Sequence, residues 1–182
     1  MIKQFLLSET CLNCKGCCRF NQENSVWAPS LLNQEIEGLL KHGFSSSIMS
    51  GYKKLRIVPF AKEGLYLCPL FNHEENRCKI YDLRPLECQL YPFLITRKDV
   101  RTPLAQSDNP PGQDKEKRKI FLAADLKCLQ LKERLAAGEF NAYVQYLVEL
   151  LEGPHYAEIL KNNPQIIQEY SEVYELQELH VF

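Results

Sequence analysis

The apolar positions along the chain change their spacing several times, and each change predicts a different element. In "APSLLNQEIEGLLKHG", Leu32, Ile36, Leu39 and Leu40 recur at helical spacing, Ser30 or Asn33 can cap the start, and Gly43 can end it. Ser45, Ser46 and Ser47 then read as a loop. "KLRIVPFAKEGLYLCPLF" holds two β-rich runs around Lys62-Glu63-Gly64, which predicts a hairpin with Cys68 near the end of its second strand. "NHEENR" reads as a polar turn. In "IYDLRPLECQLYPF", Asp82 can cap a short helix, Pro85 is tolerated in its first turn and Pro92 stops it.

Further along, "RTPLAQSDNPPGQDKEKRK" reads as an exposed loop, and "KIFLAADLKC" as a strand leading into a turn. The last third, "LQLKERLAAGEFNAYVQYLVELLEG" and "PHYAEILKNNPQIIQEYSEVYELQEL", is helical in composition. Leu131, Leu135, Tyr143, Leu147 and Leu150 supply buried stripes there, and Gly153-Pro154 separates the two segments. The pattern predicts an α+β protein: a cysteine-rich domain over residues 1–130, of short strands and helices, and a helical extension over 131–182 packed on it.

Charge narrows the function. The 182 residues carry a net charge of −1, without the excess of Lys and Arg that displaces counterions from phosphates, so nucleic acid is not an expected partner. The start, "MIKQFLLSET", lacks the apolar stretch and small-residue cleavage site of a secretory signal, and no apolar run is long enough to span a bilayer. The expected location is the cytoplasm, with no membrane partner.

That location bears on the eight cysteines, because cytosolic thiols are kept reduced and such a set points to metal binding or catalysis before disulfides. Cys11, Cys14, Cys17 and Cys18 form one group, Cys68, Cys78 and Cys88 a second, and Cys128 stands alone. In a Cys-x2-Cys unit the two intervening residues let the chain turn so that both sulfurs reach one ion. Here the unit occurs in tandem, which argues for a metal ion or cluster. Adjacent Cys17 and Cys18 diverge on either kind of backbone, so either one is a ligand beside a packed thiol or they face separate sites.

Arg84 and Cys88 are four apart and would share a face of a short helix, where the guanidinium can offset thiolate charge and donate to sulfur. A surface pairing of Arg84 with Asp82 or Glu87 fits the spacing equally well. His73 reads as a solvated turn residue, and His42 sits where a helix C-terminus favours a cation. Phosphate loops, nucleophile elbows and His-Glu-x-x-His are all missing from the sequence.

Taken in order, "CLNCKGCC", "CPLF" and "CKIYDLRPLECQLYPF" resemble the YkgJ-like CxxCxxCC family of zinc- or iron-chelating cysteine-cluster proteins, over roughly residues 9–130. The resemblance implies a cytosolic metal-binding protein. It makes Cys11, Cys14, Cys17, Cys18, Cys68, Cys78, Cys88 and Cys128 the candidate metal ligands, with Tyr81, Arg84, Pro85 and Tyr91 in the shared surround of the cofactor. A related cysteine-rich region occurs in flagellin lysine N-methylase, so the family leaves an enzymatic role open, of redox or methyl-transfer type, with an unidentified small-molecule or protein partner.

The cofactor is an iron–sulfur cluster or zinc. The tandem resembles ferredoxin-type ligation and Cys68-Pro69 echoes the Cys-Pro that closes such motifs, whereas all-thiolate tetrahedral sites suit zinc as well. A structural zinc module for protein interaction is the further alternative.

Overall fold

The hairpin forms where the alternation places it. A computed structural model describes residues 2–6, 9, 14, 16–100, 117–135 and 138–181; Cys11 and most of the loop expected over 101–119 lie outside them. Val58–Phe60 (β2) and Leu65–Leu67 (β3) pair antiparallel, Phe60 opposite Leu65. Gly64 takes the turn at φ 63°, a left-handed conformation glycine adopts without steric cost. Arg19–Phe20 (β1) pairs with the other edge of β3, Arg19 opposite Leu67, so Cys17 and Cys18 are carried to the end of the hairpin. Phe71–Asn72 (β4) and Arg77–Cys78 (β5) flank the polar turn and pair with Phe71 opposite Cys78.

The first helix, Asn33–Lys41 (α1), starts later and is closed differently than the sequence suggests. Neither Ser30 nor Asn33 caps it. The Glu35 carboxylate reaches back to accept the Leu32 N–H at 2.8 Å, and its other oxygen accepts the Leu86 N–H at 2.6 Å. Ser30 is instead wholly buried. His42 follows the last turn, with its Nδ1 2.9 Å from the Gly38 carbonyl oxygen, and the helix ends there.

Burial raises the Glu35 carboxyl above the usual value of 4.5, against the two N–H groups that lower it. The folded state therefore holds the proton more tightly than the unfolded chain. Its contribution is full below pH 4.5 and is lost as pH rises through the folded value. Urea unfolding of the metal-free protein should show this as a decline in stability above pH 4.5 that Glu35→Gln reduces; equal slopes in the two proteins would refute it.

The segment after β5 also departs from expectation. Tyr81–Leu83 is a 3-10 turn, and the helix proper, Leu86–Leu90 (α2), begins only after Pro85. The proline ring disfavours helical backbone in the residue before it, so Arg84 is extended (φ −56°, ψ 141°) and shares no helix face with Cys88. Asp82 is exposed and makes no cap.

Phe93–Val100 (β6) and Lys117–Ala124 (β7) form a long antiparallel pair. Leu129–Lys132 (α3), Gly138–Glu152 (α4) and Pro154–Asn162 (α5) follow, broken at Gly153-Pro154 as read. Helix does not continue to the end. Pro164–Ile166 is a 3-10 turn, and Tyr174–Leu179 (β8) is a strand on the free edge of β7, giving the order β6-β7-β8. The β7 edge supplies backbone partners that override the helical composition of this stretch.

Buried side chains gather in two clusters. One joins Leu86, Leu90, Phe93, Leu122, Leu131, Tyr143 and Leu147 with Ile2 and Leu6, so the C-terminal helices and the cysteine-bearing α2 share a core. Leu135, expected in the stripe, is exposed instead. The other packs Phe20, Leu31, Leu39, Leu55 and Ile57 around Cys68 and Phe71. The architecture is α+β, and none of the described helices is long and apolar enough to cross a membrane.

Candidate metal centre

Backbone bonds tie several of the cysteine-bearing segments together. The Arg19 N–H donates to the Gly16 carbonyl at 3.1 Å, closing the turn that holds Cys17 and Cys18. The Cys68 N–H donates to the Cys18 carbonyl at 3.0 Å, joining the two cysteine groups directly. Beyond Cys68 the chain turns again (Phe71 N–H to Cys68 carbonyl, 3.0 Å), and the β4–β5 hairpin folds Cys78 back toward it. Cys88 lies in the middle of α2. Cys128 precedes α3, with its N–H on the Asp125 carbonyl at 3.1 Å.

These segments surround one cavity of about 670 Å³, lined by Cys14, Cys17, Cys18, Cys68, Cys78 and Cys88. Tyr81, Arg84 and Tyr91 border it as well. Cys128 is buried beside this cavity and is not among its walls; its thiol is raised by burial first and then by Cys14 and Cys17. His73 is exposed, stacks on Phe60 at 4.9 Å between ring centres, and does not border the cavity.

Burial, reinforced by neighbouring thiols, raises Cys68, Cys78 and Cys88. Burial pushes Cys68 up to about 12, reinforced by Cys78 and Cys17 against the Leu70 N–H. Cys88 is raised strongly by burial, then by Cys68 and Cys17; Cys78 is raised by burial while Arg84 opposes. Cys17 is open to water through the cavity, yet its thiol is raised well above the usual range, first by its hydrogen bond with Cys18 and then by burial, with Arg84 again opposing.

Arg84 answers the question its spacing left open. Its Nε donates to the Tyr81 carbonyl at 3.0 Å and its Nη2 to Gln4 Oε1 at 3.2 Å, and among the described residues it forms no ion pair with Asp82 or Glu87. Its charge acts on Cys17 and Cys78 instead.

Tyr91 donates its hydroxyl to Asp125 Oδ2 at 3.0 Å, and burial followed by Asp125 raises its pKa. Two polar residues that sequence reasoning passed over also shape the site. Asp125 is buried and links Tyr91 to the turn that carries Cys128. Glu87, beside Cys88, accepts the Ser30 N–H at 2.7 Å and Gln168 Nε2 at 3.1 Å, and burial lifts its carboxyl to about 7. A carboxylate next to a cysteine carried no local signal for either partner, which lie 57 and 81 residues away.

The donor set fits a thiolate-bound metal. Several crowded thiols each resist losing a proton alone, and a cation that ionises them together reverses that balance. Arg84 then offsets part of the remaining negative charge. Among the described residues no three of His, Cys, Asp and Glu converge closely enough to hold one ion. The six thiols thus share a cavity wall and do not form a closed shell.

Fold and site together define a small α+β protein built around a cysteine-lined cavity. The chain belongs to the CxxCxxCC family, whose "putative zinc- or iron-chelating domain" matches residues 10–117. That span holds every cysteine except Cys128. No solved structure gives a significant match to the chain.

Proposed function

We propose that this protein holds an iron–sulfur cluster on thiolates from its separate cysteine segments. The observation that carries the reading is that Cys14, Cys17, Cys18, Cys68, Cys78 and Cys88 all line one cavity. Cys17, Cys68, Cys78 and Cys88 are the ligand set we favour: all four line the cavity, the Cys68 N–H bonds the carbonyl of Cys18 next to Cys17, and the β4–β5 pairing sets Cys78 opposite Phe71. Cys18 then takes the role of the packed neighbour, consistent with its contact with the Phe20 cluster. Cys128, whose thiol is raised by burial and then by Cys14 and Cys17, stands apart from that set with Cys14. Tyr81, Arg84 and Tyr91 surround the cofactor, and residues 131–182 act as an extension that packs on the metal-binding part.

The ferredoxin-like tandem favours a cluster over a single zinc ion. Bound there, a cluster supplies electron transfer or Lewis acidity, while Arg84 offsets its charge and the cavity wall sets how far water reaches it. A second reading, an enzyme acting at the cluster, is favoured by the cavity's size, which lies within the range of small-molecule sites.

Anaerobic purification followed by visible absorption and by iron, sulfide and zinc analysis tests the proposal. A brown protein with acid-labile sulfide is expected, and His73→Ala should leave its metal content unchanged. A colourless protein with stoichiometric zinc would overturn the cluster, and one with no metal would overturn the reading altogether.

A further inference from the structure

Among the described residues, the Tyr81 hydroxyl is the one buried side-chain N or O atom without a hydrogen-bond partner. An unpaired buried hydroxyl costs free energy, so native structures rarely leave one without reason. Tyr81 stands three residues after Cys78, opens the 3-10 turn and borders the thiol cavity.

Its position is held from several sides. The Arg84 guanidinium lies over its ring at 3.9 Å, and Arg84 Nε donates to the Tyr81 carbonyl at 3.0 Å. The Leu83 N–H closes the turn on the Ile80 carbonyl at 2.8 Å, and the Lys79 N–H holds its approach on the Leu70 carbonyl at 2.8 Å. The ring cannot swing away to find water without giving up its stack with Arg84. A shielded, unpartnered donor is thus carried by a residue that borders a cavity rich in sulfur. Neutral thiols accept hydrogen bonds weakly, whereas thiolates accept them well.

We propose that Tyr81 is a positioning residue for the metal centre, its hydroxyl donating a hydrogen bond to a metal-bound sulfur on the Cys17 and Cys78 side of the cavity. The inference rests on the metal-binding reading above. Arg84 contributes charge without strong direction, and Tyr81 contributes the directed bond. The role has a signature that ordinary packing lacks: removing the hydroxyl acts in opposite directions on the two forms of the protein.

The test is Tyr81→Phe beside the wild type, both purified anaerobically. Metal content per chain, urea unfolding of the metal-free forms, and the rate at which the loaded forms lose metal to excess chelator are measured. We expect equal metal content, a metal-free variant at least as stable as the wild type, and metal loss about tenfold to a hundredfold faster, as a hydrogen bond to a charged acceptor implies. A metal-free variant less stable than the wild type would mean the hydroxyl has a protein partner, and overturns the inference. Unchanged release from a loaded variant overturns it too, while leaving the metal centre itself standing. A wild type that carries no metal overturns both together.

Discussion

Cys88→Ser is expected to leave the protein with less than about a tenth of its wild-type metal. Cys88 sits in the centre of α2, a five-residue helix that cannot stand by itself and is held by tertiary contacts. Glu35 accepts its Leu86 N–H, Glu87 ties it to Ser30 and Gln168, and Leu86 and Leu90 are buried in the larger core. The Cys88 sulfur is thus fixed in place, and the charges of Cys68, Cys17 and Cys78 bear on it. Serine keeps the shape but offers a hard, barely ionised oxygen in place of a soft thiolate, so ligation fails while packing changes little. Metal analysis of the anaerobically purified variant gives the direct reading. The metal-free forms of variant and wild type should unfold within about 1 kcal/mol of each other, as expected for a small change of volume. A variant that keeps stoichiometric metal would remove Cys88 from the ligand set.

Glu87→Ala should destabilise the metal-free protein by about 2–3 kcal/mol, the cost of one or two buried donors left unpaired together with a small cavity. The Ser30 N–H loses its acceptor at a position where Ser30 is wholly buried. Gln168 Nε2 suffers less, since it also donates to Ser30 Oγ at 2.9 Å and to the Tyr170 hydroxyl at 3.1 Å. One effect opposes the loss, because deleting a carboxyl removes its desolvation penalty. That relief is partial: burial lifts the Glu87 pKa to about 7, so at neutral pH the carboxyl already avoids part of the penalty by protonation. The lost acceptor wins. Urea unfolding at pH 7 measures the difference, and a midpoint indistinguishable from wild type would show that water replaces the carboxylate.

Both substitutions act where distant segments meet, which is where the sequence was least legible. The hairpin around Gly64 and the turn in "NHEENR" could be read because their signals are local: alternation, a glycine at positive φ, a cluster of polar residues. α1 was legible for its apolar stripe, though the residue closing its start was not Ser30 or Asn33 but Glu35, which simultaneously serves Leu86. The break at Arg84 had a readable signal in Pro85, and weighing it would have removed the helix face shared with Cys88. β8 had no such signal. Residues 174–179 are strand because the edge of β7 was free to pair with them.

By itself the sequence determined the chemistry on offer: eight thiols, a tandem Cys-x2-Cys and a near-neutral charge balance. Ligand chemistry follows from residue type and short spacing, both of which are written along the chain. Which thiols meet, whether Arg84 faces sulfur or a surface carboxylate, and that Glu87 anchors α2 were decided only by the tertiary structure. Those outcomes depend on contacts between residues far apart in the chain, and their energies arise from desolvation and charge that exist only after the segments have packed.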